Sequence, residues 1–175
     1  CACLVGSEMC IRDRYISMVN KAEKYCWFMT PYLIITDEMS HALCLAAKRG
    51  VDVRIITPGI PDKKMIYNIT RSFYHGLVKY GVRIYEWTPG FCHAKMSVAD
   101  DCMATCGTIN LDYRSLYHHF ENGCFMADCQ AVLDIRNDLA ATMDECREVT
   151  EQYSTGRSAY LRLGQLFMRL FAGLL

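Results

Sequence analysis

The feature that most constrains the fold is a strict alternation of polar and apolar side chains in residues 92–98. A period of two is typical of a β-strand with one buried face, so His93 and Lys95 are predicted to point to the same side. Residues 100–101 are predicted to form a tight turn, and residues 102–106 the returning strand. The sequence therefore predicts a β-hairpin with a polar face.

A two-residue turn would place Thr108 opposite His93 across this hairpin. Thr108 and Asn110 are two positions apart, so they would face the same pocket. Gly107 suits a position where the backbone bends or passes close to a ligand. The hairpin would then present an imidazole, an ammonium group, a hydroxyl and an amide on one surface.

These four groups suit chemistry at the phosphorus of a phosphodiester. A neutral imidazole such as that of His93 can attack phosphorus or protonate a leaving oxygen. Lys95 and Asn110 could hold the non-bridging oxygens, whose charge must be stabilised during transfer. The imidazole also needs a partner that fixes its tautomer, and Glu121, in the next strand-like run, is the best candidate. A His-x-Lys pair alone is common on exposed strands, so the hypothesis depends on the whole pattern.

The His-x-Lys-x4-Asp pattern at residues 93–100 resembles the HKD motif of the phospholipase D superfamily. Its surroundings resemble the second catalytic half of bacterial cardiolipin synthases. The matching stretches are residues 30–32, 50–59, 81–86, 89–91, 110–115 and 120–121. The resemblance runs from about residue 25 to the C-terminus. It implies an α/β fold of the phospholipase D-like type, with a mixed β-sheet flanked by helices.

The resemblance also implies roles for individual residues. His93 is similar to one of two catalytic histidines, and Lys95 and Asn110 would contact phosphate oxygens. Thr108 would line the substrate pocket. Glu121 would hydrogen-bond to His93.

Three further positions near the motif carry expectations. Asp100 completes the motif and is included among the catalytic candidates, although the resemblance gives it a more structural than chemical part. Arg114 is a candidate for binding an anionic ligand or for pairing with a structural carboxylate. His119 stands where the family would have Asn before the Phe-Glu pair, which affects substrate contacts rather than the chemistry.

The implied activity is that of a phosphatidyltransferase. Two molecules of phosphatidylglycerol would give cardiolipin and glycerol through a phosphatidyl-histidine intermediate, without a cofactor or metal ion. The alternative is a phosphodiester hydrolase, either a phospholipase D or a homodimeric endonuclease. A third hypothesis is a module that binds phosphate or lipid without turnover.

The motif occurs only once in the chain. In the resembled family two HKD motifs meet across a pseudo-twofold interface, so we expect the chain to be the C-terminal half of a longer enzyme. Its partner would be an N-terminal HKD half or a second copy of itself, since a twofold interface brings identical patches together.

Composition favours one domain without a nucleic-acid partner. The 175 residues suffice for a single core, and the formal charge of zero gives no long-range attraction to nucleic acid. The eleven cysteines include no C-x2-C pair, and most are predicted to be reduced core residues. His118, His119 and Cys124 do not form a closed ligand set of standard spacing, so no metal site is predicted.

Helices and strands alternate before the hairpin. Helices are predicted at residues 10–24, 37–49, 65–80 and 130–148, and strands at residues 25–29, 51–57, 82–87 and 121–127. Thr36 is a candidate N-cap for the second helix, and Gly50 lies just past its end. The order predicts a mixed sheet packed by helices.

The last residues suggest a membrane surface. Residues 1–155 are predicted to form the catalytic domain, and residues 156–175 an amphipathic helix with arginines on its polar face. Such a helix can lie in a bilayer interface or dock on protein, and it is too short and too interrupted by Arg to span a bilayer. The expected location is the cytoplasmic face of a bacterial cell membrane.

Overall fold

The computed structural model describes residues 2–5, 8–117 and 120–154. The strands are β1 (Ala2–Val5), β2 (Tyr25–Met29), β3 (Leu33–Ile34), β4 (Asp52–Pro58), β5 (Arg83–Trp87), β6 (Met96–Ala99), β7 (Met103–Gly107), β8 (Leu111–Asp112), β9 (Asn122–Ala127) and β10 (Cys146–Glu148). The helices are α1 (Glu8–Lys21), α2 (Asp37–Lys48), α3 (Lys64–Val78), α4 (Tyr113–Tyr117), α5 (Gln130–Asp144) and α6 (Thr150–Ser154).

Eight strands form one mixed sheet in the order β1-β9-β7-β6-β2-β4-β5-β10. The pairs β2–β4 and β4–β5 are parallel, and the remaining neighbours are antiparallel. One buried cluster packs α1, α2 and α3 against the sheet, and a second packs α5 against it. The predicted α/β class, a mixed sheet flanked by helices, is confirmed.

The caps of α2 agree with the sequence. The Thr36 hydroxyl accepts a hydrogen bond from the backbone N–H of Met39 at 3.3 Å. Gly50 follows the helix with φ +94°, a left-handed conformation that glycine adopts without steric cost. Thr36 therefore caps the start of the helix, and Gly50 lets the chain turn at its end and enter β4 directly.

The hairpin register differs from the prediction by one residue. Asp100 and Asp101 both have positive φ, and the Cys102 N–H donates to the Ala99 carbonyl, so the turn itself is tight. Pairing resumes only at Met103, which lies opposite Ala99. The loop between the two strands contains three residues rather than the two that were expected. The predicted placement of Thr108 opposite His93 is therefore wrong.

The predicted strand over residues 92–98 is also too long. Residues 91–95 are irregular, and β6 begins at Met96. Met96 pairs with Met29, the last residue of β2, while the next residue, Thr30, donates its N–H to Ile56 of β4. Residues before Met96 therefore lose their partner in β2 and are free to leave the sheet.

The last predicted helix ends four residues earlier than expected, and the edge strand β10 follows it. Arg147 in this strand donates to Glu86 at 2.7 Å, and Arg71 binds the same carboxylate through two hydrogen bonds. Glu86 is fully buried, and a buried carboxylate is costly without such partners. The ion pairs explain why the chain leaves the helix to join β5.

The cysteine prediction is wrong for two residues. Cys124 is disulfide-bonded, and its neighbour across the β1–β9 pairing is Cys3, in a strand that was not predicted. Cys106 is free but exposed. Cys26 and Cys44 are free and buried, as expected.

Two expectations fall outside the described residues: the side chains of His118 and His119, and the amphipathic helix at residues 156–175. The extent of the catalytic domain, residues 1–155, stays a prediction. Among the described helices, none combines the length and apolarity required to cross a bilayer.

Candidate functional site

Several loops meet at one edge of the sheet. The last residues of β4 and β5, Pro58 and Trp87, are directly paired, so both strands end at this edge. Met29 ends β2 there and pairs with Met96, which starts β6 and in turn pairs with Cys106 near the end of β7. The loops at this edge are residues 30–32, 59–63, 88–95 and 108–110.

His93 and Lys95 lie together in the irregular segment before β6. The Lys95 ammonium donates to the His93 carbonyl oxygen at 2.7 Å, and its Nζ lies 2.9 Å from Nδ1 of the same residue. The Lys95 side chain is buried, whereas His93 is exposed. The Lys95 ammonium group, held by the His93 carbonyl, therefore lies directly beside the accessible imidazole of His93.

This arrangement favours a neutral imidazole. Partial loss of water lowers the pKa of His93 below its usual 6.5, and repulsion by Lys95 lowers it further, while the carboxylate of Asp62 opposes the shift. Burial likewise lowers the pKa of Lys95, with the negative charge of Glu121 acting in the opposite direction. At neutral pH the imidazole is available as a nucleophile.

Thr108 is held by two hydrogen bonds at its hydroxyl. It donates to the carboxylate of Glu121 and accepts from the backbone N–H of Asn122 at 3.0 Å. Gly107 permits this approach, because a Cβ atom there would overlap the backbone of Asn122 and Gly123. The structure thus joins Thr108 to Glu121, and the hydrogen bond from Glu121 to His93 stays a prediction.

Asn110 has an unusual environment for a buried amide. Its Nδ2 donates to the Ser115 hydroxyl at 3.2 Å, while its buried Oδ1 has no hydrogen-bond partner. Rotating the amide by 180° would let Ser115 donate to Oδ1 and would put an N–H donor where the orphan oxygen lies.

Four of the seven predicted site residues line one open cavity of about 490 Å³. His93, Lys95, Thr108 and Asn110 all line its wall, together with Ala94, Met96, Cys106 and Gly107. The structure therefore brings together the imidazole, ammonium, hydroxyl and amide that the sequence predicted to share a surface, despite the shifted register.

Asp100 lies apart from these groups, at the opposite end of β6. Its carboxylate accepts three backbone hydrogen bonds, from the N–H groups of Glu23, Lys24 and Tyr25, at 2.7 to 2.9 Å. It therefore ties the hairpin turn to the start of β2. This geometry agrees with the more structural part that the resemblance gives Asp100, and a catalytic part for Asp100 stays a prediction.

Arg114 is exposed in the short helix α4. Among the residues that the structure describes, Arg114 forms no ion pair with a carboxylate, and its contact with an anionic ligand stays a prediction. Among the described residues, no group of His, Cys, Asp and Glu could hold a metal ion.

Sequence reasoning missed one residue of this edge. Asp62 accepts a hydrogen bond from Tyr32 at 2.6 Å, and the Tyr32 ring lies edge-on to the His93 ring with centroids 6.1 Å apart. The sequence did contain a signal for Asp62. It ends the Pro-Gly-x-Pro-Asp loop that follows directly after a buried strand, at the end of the strand where the site lies.

Comparison with solved structures identifies the fold. The chain is similar to a phospholipase D family member, Nuc from Salmonella typhimurium, with a TM-score of 0.68 and 17% identity. The match covers 78% of this chain and 89% of that one. At this identity the likeness concerns the fold, which is that of the phospholipase D family.

Comparison with related sequences identifies the family more closely than the fold does. Residues 15–143 match the family described as "Cardiolipin synthase, PLD-like domain", and the chain belongs to this family. It is 34% identical over 165 residues to cardiolipin synthase 2 of Bacillus cereus, covering 94% of this chain and 32% of that protein. An uncharacterized protein of Streptococcus mutans is 48% identical over 161 residues, covering 92% and 35%. The chain spans about a third of the length of both relatives.

Proposed function

We propose that this chain supplies one of the two histidines of a phosphatidyltransferase that makes cardiolipin from two molecules of phosphatidylglycerol. The observation that carries the proposal is the position of the Lys95 ammonium 2.9 Å from the His93 imidazole, inside a cavity also lined by Thr108 and Asn110. Family membership supports the same chemistry.

In the proposed reaction, an imidazole nitrogen attacks the phosphorus of phosphatidylglycerol and the bond to glycerol breaks. The second histidine gives the departing glycerol oxygen its proton. A hydroxyl of another phosphatidylglycerol then attacks the phosphatidyl-histidine, loses its proton to the second histidine and restores the first imidazole. His93 can take either part in this sequence.

Neighbouring side chains would stabilise the charge that develops on the non-bridging oxygens. Lys95 would exchange its contact with the imidazole for a phosphate oxygen, and Asn110 would add a neutral donor. Glu121, held through Thr108, is our candidate for orienting the imidazole. Arg114 is proposed as a further contact for the anionic substrate, and no cofactor or metal ion takes part.

The second histidine is proposed to come from an N-terminal HKD half or from a second copy of the chain. Because the substrates are lipids, we place the protein at a membrane surface, at the cytoplasmic face of a bacterial cell membrane. We propose no nucleic-acid partner, since the sequence has zero formal charge.

The test is lipid mass spectrometry after incubation of the purified chain, at high concentration, with phosphatidylglycerol vesicles. Cardiolipin and glycerol from the wild type, and neither from His93→Asn, support the proposal. Phosphatidic acid without cardiolipin would instead support the alternative, a phosphodiester hydrolase. No product would contradict self-sufficient activity, and the assay would be repeated with a fragment carrying the second motif.

A further inference from the structure

The loop after β4 brings a carboxylate to the candidate site. The Tyr32 hydroxyl donates to Oδ2 of Asp62 at 2.6 Å, and the backbone N–H of Lys63 donates to Oδ1 at 2.6 Å. Asp62 itself is exposed. A carboxylate offers about four acceptor positions, so roughly two remain open to a ligand.

Tyr32 connects this carboxylate to the reacting group. Its ring lies edge-on to the His93 ring at 6.1 Å, and its hydroxyl holds Asp62 in place. The negative charge of Asp62 opposes the lowering of the His93 pKa that desolvation and Lys95 cause. Asp62 and His93 therefore contact the same tyrosine side chain, Asp62 at its hydroxyl and His93 at its ring.

We propose that Asp62, held by Tyr32, recognises the glycerol hydroxyls of the alcohol that leaves from or attacks phosphorus at His93. Hydroxyl groups donate well to a carboxylate, and Asp62 is exposed, so its remaining acceptor positions are accessible to such a group. This inference rests on the proposed function and adds a residue that determines which alcohol is used.

Local charge favours a neutral polyol over a cationic headgroup. Lys95 lies beside the imidazole, and Lys63 and Lys64 follow Asp62 directly in the chain. An ammonium group placed beside the imidazole would meet repulsion from Lys95, which the carboxylates of Glu121 and Asp112 offset only in part. A glycerol hydroxyl has no such cost, so the site discriminates by charge as well as by hydrogen bonding.

The experiment compares two small phosphates as probes of the full chain: glycerol 3-phosphate, which keeps the hydroxyls, and ethyl phosphate, which lacks them. Dissociation constants are measured by NMR from the imidazole signals of His93. One hydrogen bond to a charged group corresponds to a preference of roughly tenfold for glycerol 3-phosphate in the wild type. Asp62→Asn keeps a neutral oxygen acceptor but loses the charge, and it is expected to lower the ratio several-fold.

Two further variants separate recognition from structure. Tyr32→Phe keeps the ring but releases Asp62, and it is expected to give an intermediate preference. Asp134→Asn, on the exposed side of α5, removes the same charge elsewhere and should keep the wild-type ratio. An unchanged ratio in Asp62→Asn, or no preference in the wild type, would overturn the inference alone. Failure of both phosphates to bind would overturn the proposed function together with it.

Discussion

The two ends of β6 belong to one sequence motif but differ in almost every physical respect. At one end, His93 is exposed in an irregular segment, and the amide of Asn110 keeps an unpaired buried oxygen. At the other end, Asp100 accepts three backbone hydrogen bonds and fixes the turn to β2. Unsatisfied and exposed polar groups mark the end that can bind a ligand, whereas saturated ones mark the end that holds the fold.

The largest expected difference concerns His93. In His93→Asn the exposed ring is replaced by a polar side chain of similar reach, so the free energy of unfolding should change by less than about 0.5 kcal/mol. Turnover of phosphatidylglycerol, measured with whatever partner restores activity, should fall by about 10³-fold or more. Retention of a tenth of the activity or more would contradict the assignment of His93 as a reacting group.

The opposite result is expected at Asp100. Asp100→Ala removes the acceptor of three hydrogen bonds and should lower the free energy of unfolding by about 2 kcal/mol in urea denaturation. Asp100→Gly is the matched control, since it removes the carboxylate but tolerates the observed φ of +52°. The activity per folded molecule should stay near that of the wild type in both variants. A folded but inactive variant would give Asp100 a chemical part.

A smaller effect is expected at Thr108. Thr108→Val keeps the shape but loses the hydroxyl between Glu121 and the Asn122 N–H, so turnover should fall roughly tenfold. Thr108→Ser retains the hydroxyl and should recover most of the activity. Equal losses in both variants would mean that the methyl group, rather than the hydrogen bonds, matters.

The smallest effect is a shift in titration. The pKa of His93 lies below 6.5 because of desolvation and the charge of Lys95, so the imidazole stays neutral at pH 7 and becomes charged only as the pH falls. Lys95→Met removes the repulsion, and the NMR titration midpoint of His93 should move upward. Lys48→Met, on an exposed position of α2, should leave the midpoint where it is. A downward shift in Lys95→Met would contradict the assigned cause.

Local patterns predicted much of this fold. The strand at residues 25–29 and the cap at Thr36 depend on neighbours within a few positions, and both were predicted correctly. The hairpin register was not, because two left-handed aspartates make a turn after which Cys102 stays unpaired in the ladder. The register of the hairpin also depends on how β6 and β7 pair with strands that are distant in the sequence.

The site was predictable where one segment carries it. His93, Lys95, Thr108 and Asn110 lie within eighteen residues, so a register error of one still left them around one cavity. Asp62 is held near the site by the hydroxyl of Tyr32, thirty residues away in the chain. A contact of that kind leaves no periodic trace in the sequence.

The most direct test of the account uses a phosphatidyl ester whose leaving group, a nitrophenolate, departs without a proton donor. Such a substrate removes the need for the second histidine, so the chain can be tested alone. With this substrate His93 can attack phosphorus whichever part it takes in the natural reaction. We therefore expect release of nitrophenolate and an acid-labile phosphatidyl adduct on His93, both absent in His93→Asn and both present in Asp100→Gly. Equal release by the wild type and His93→Asn, or an adduct on another residue, would contradict it.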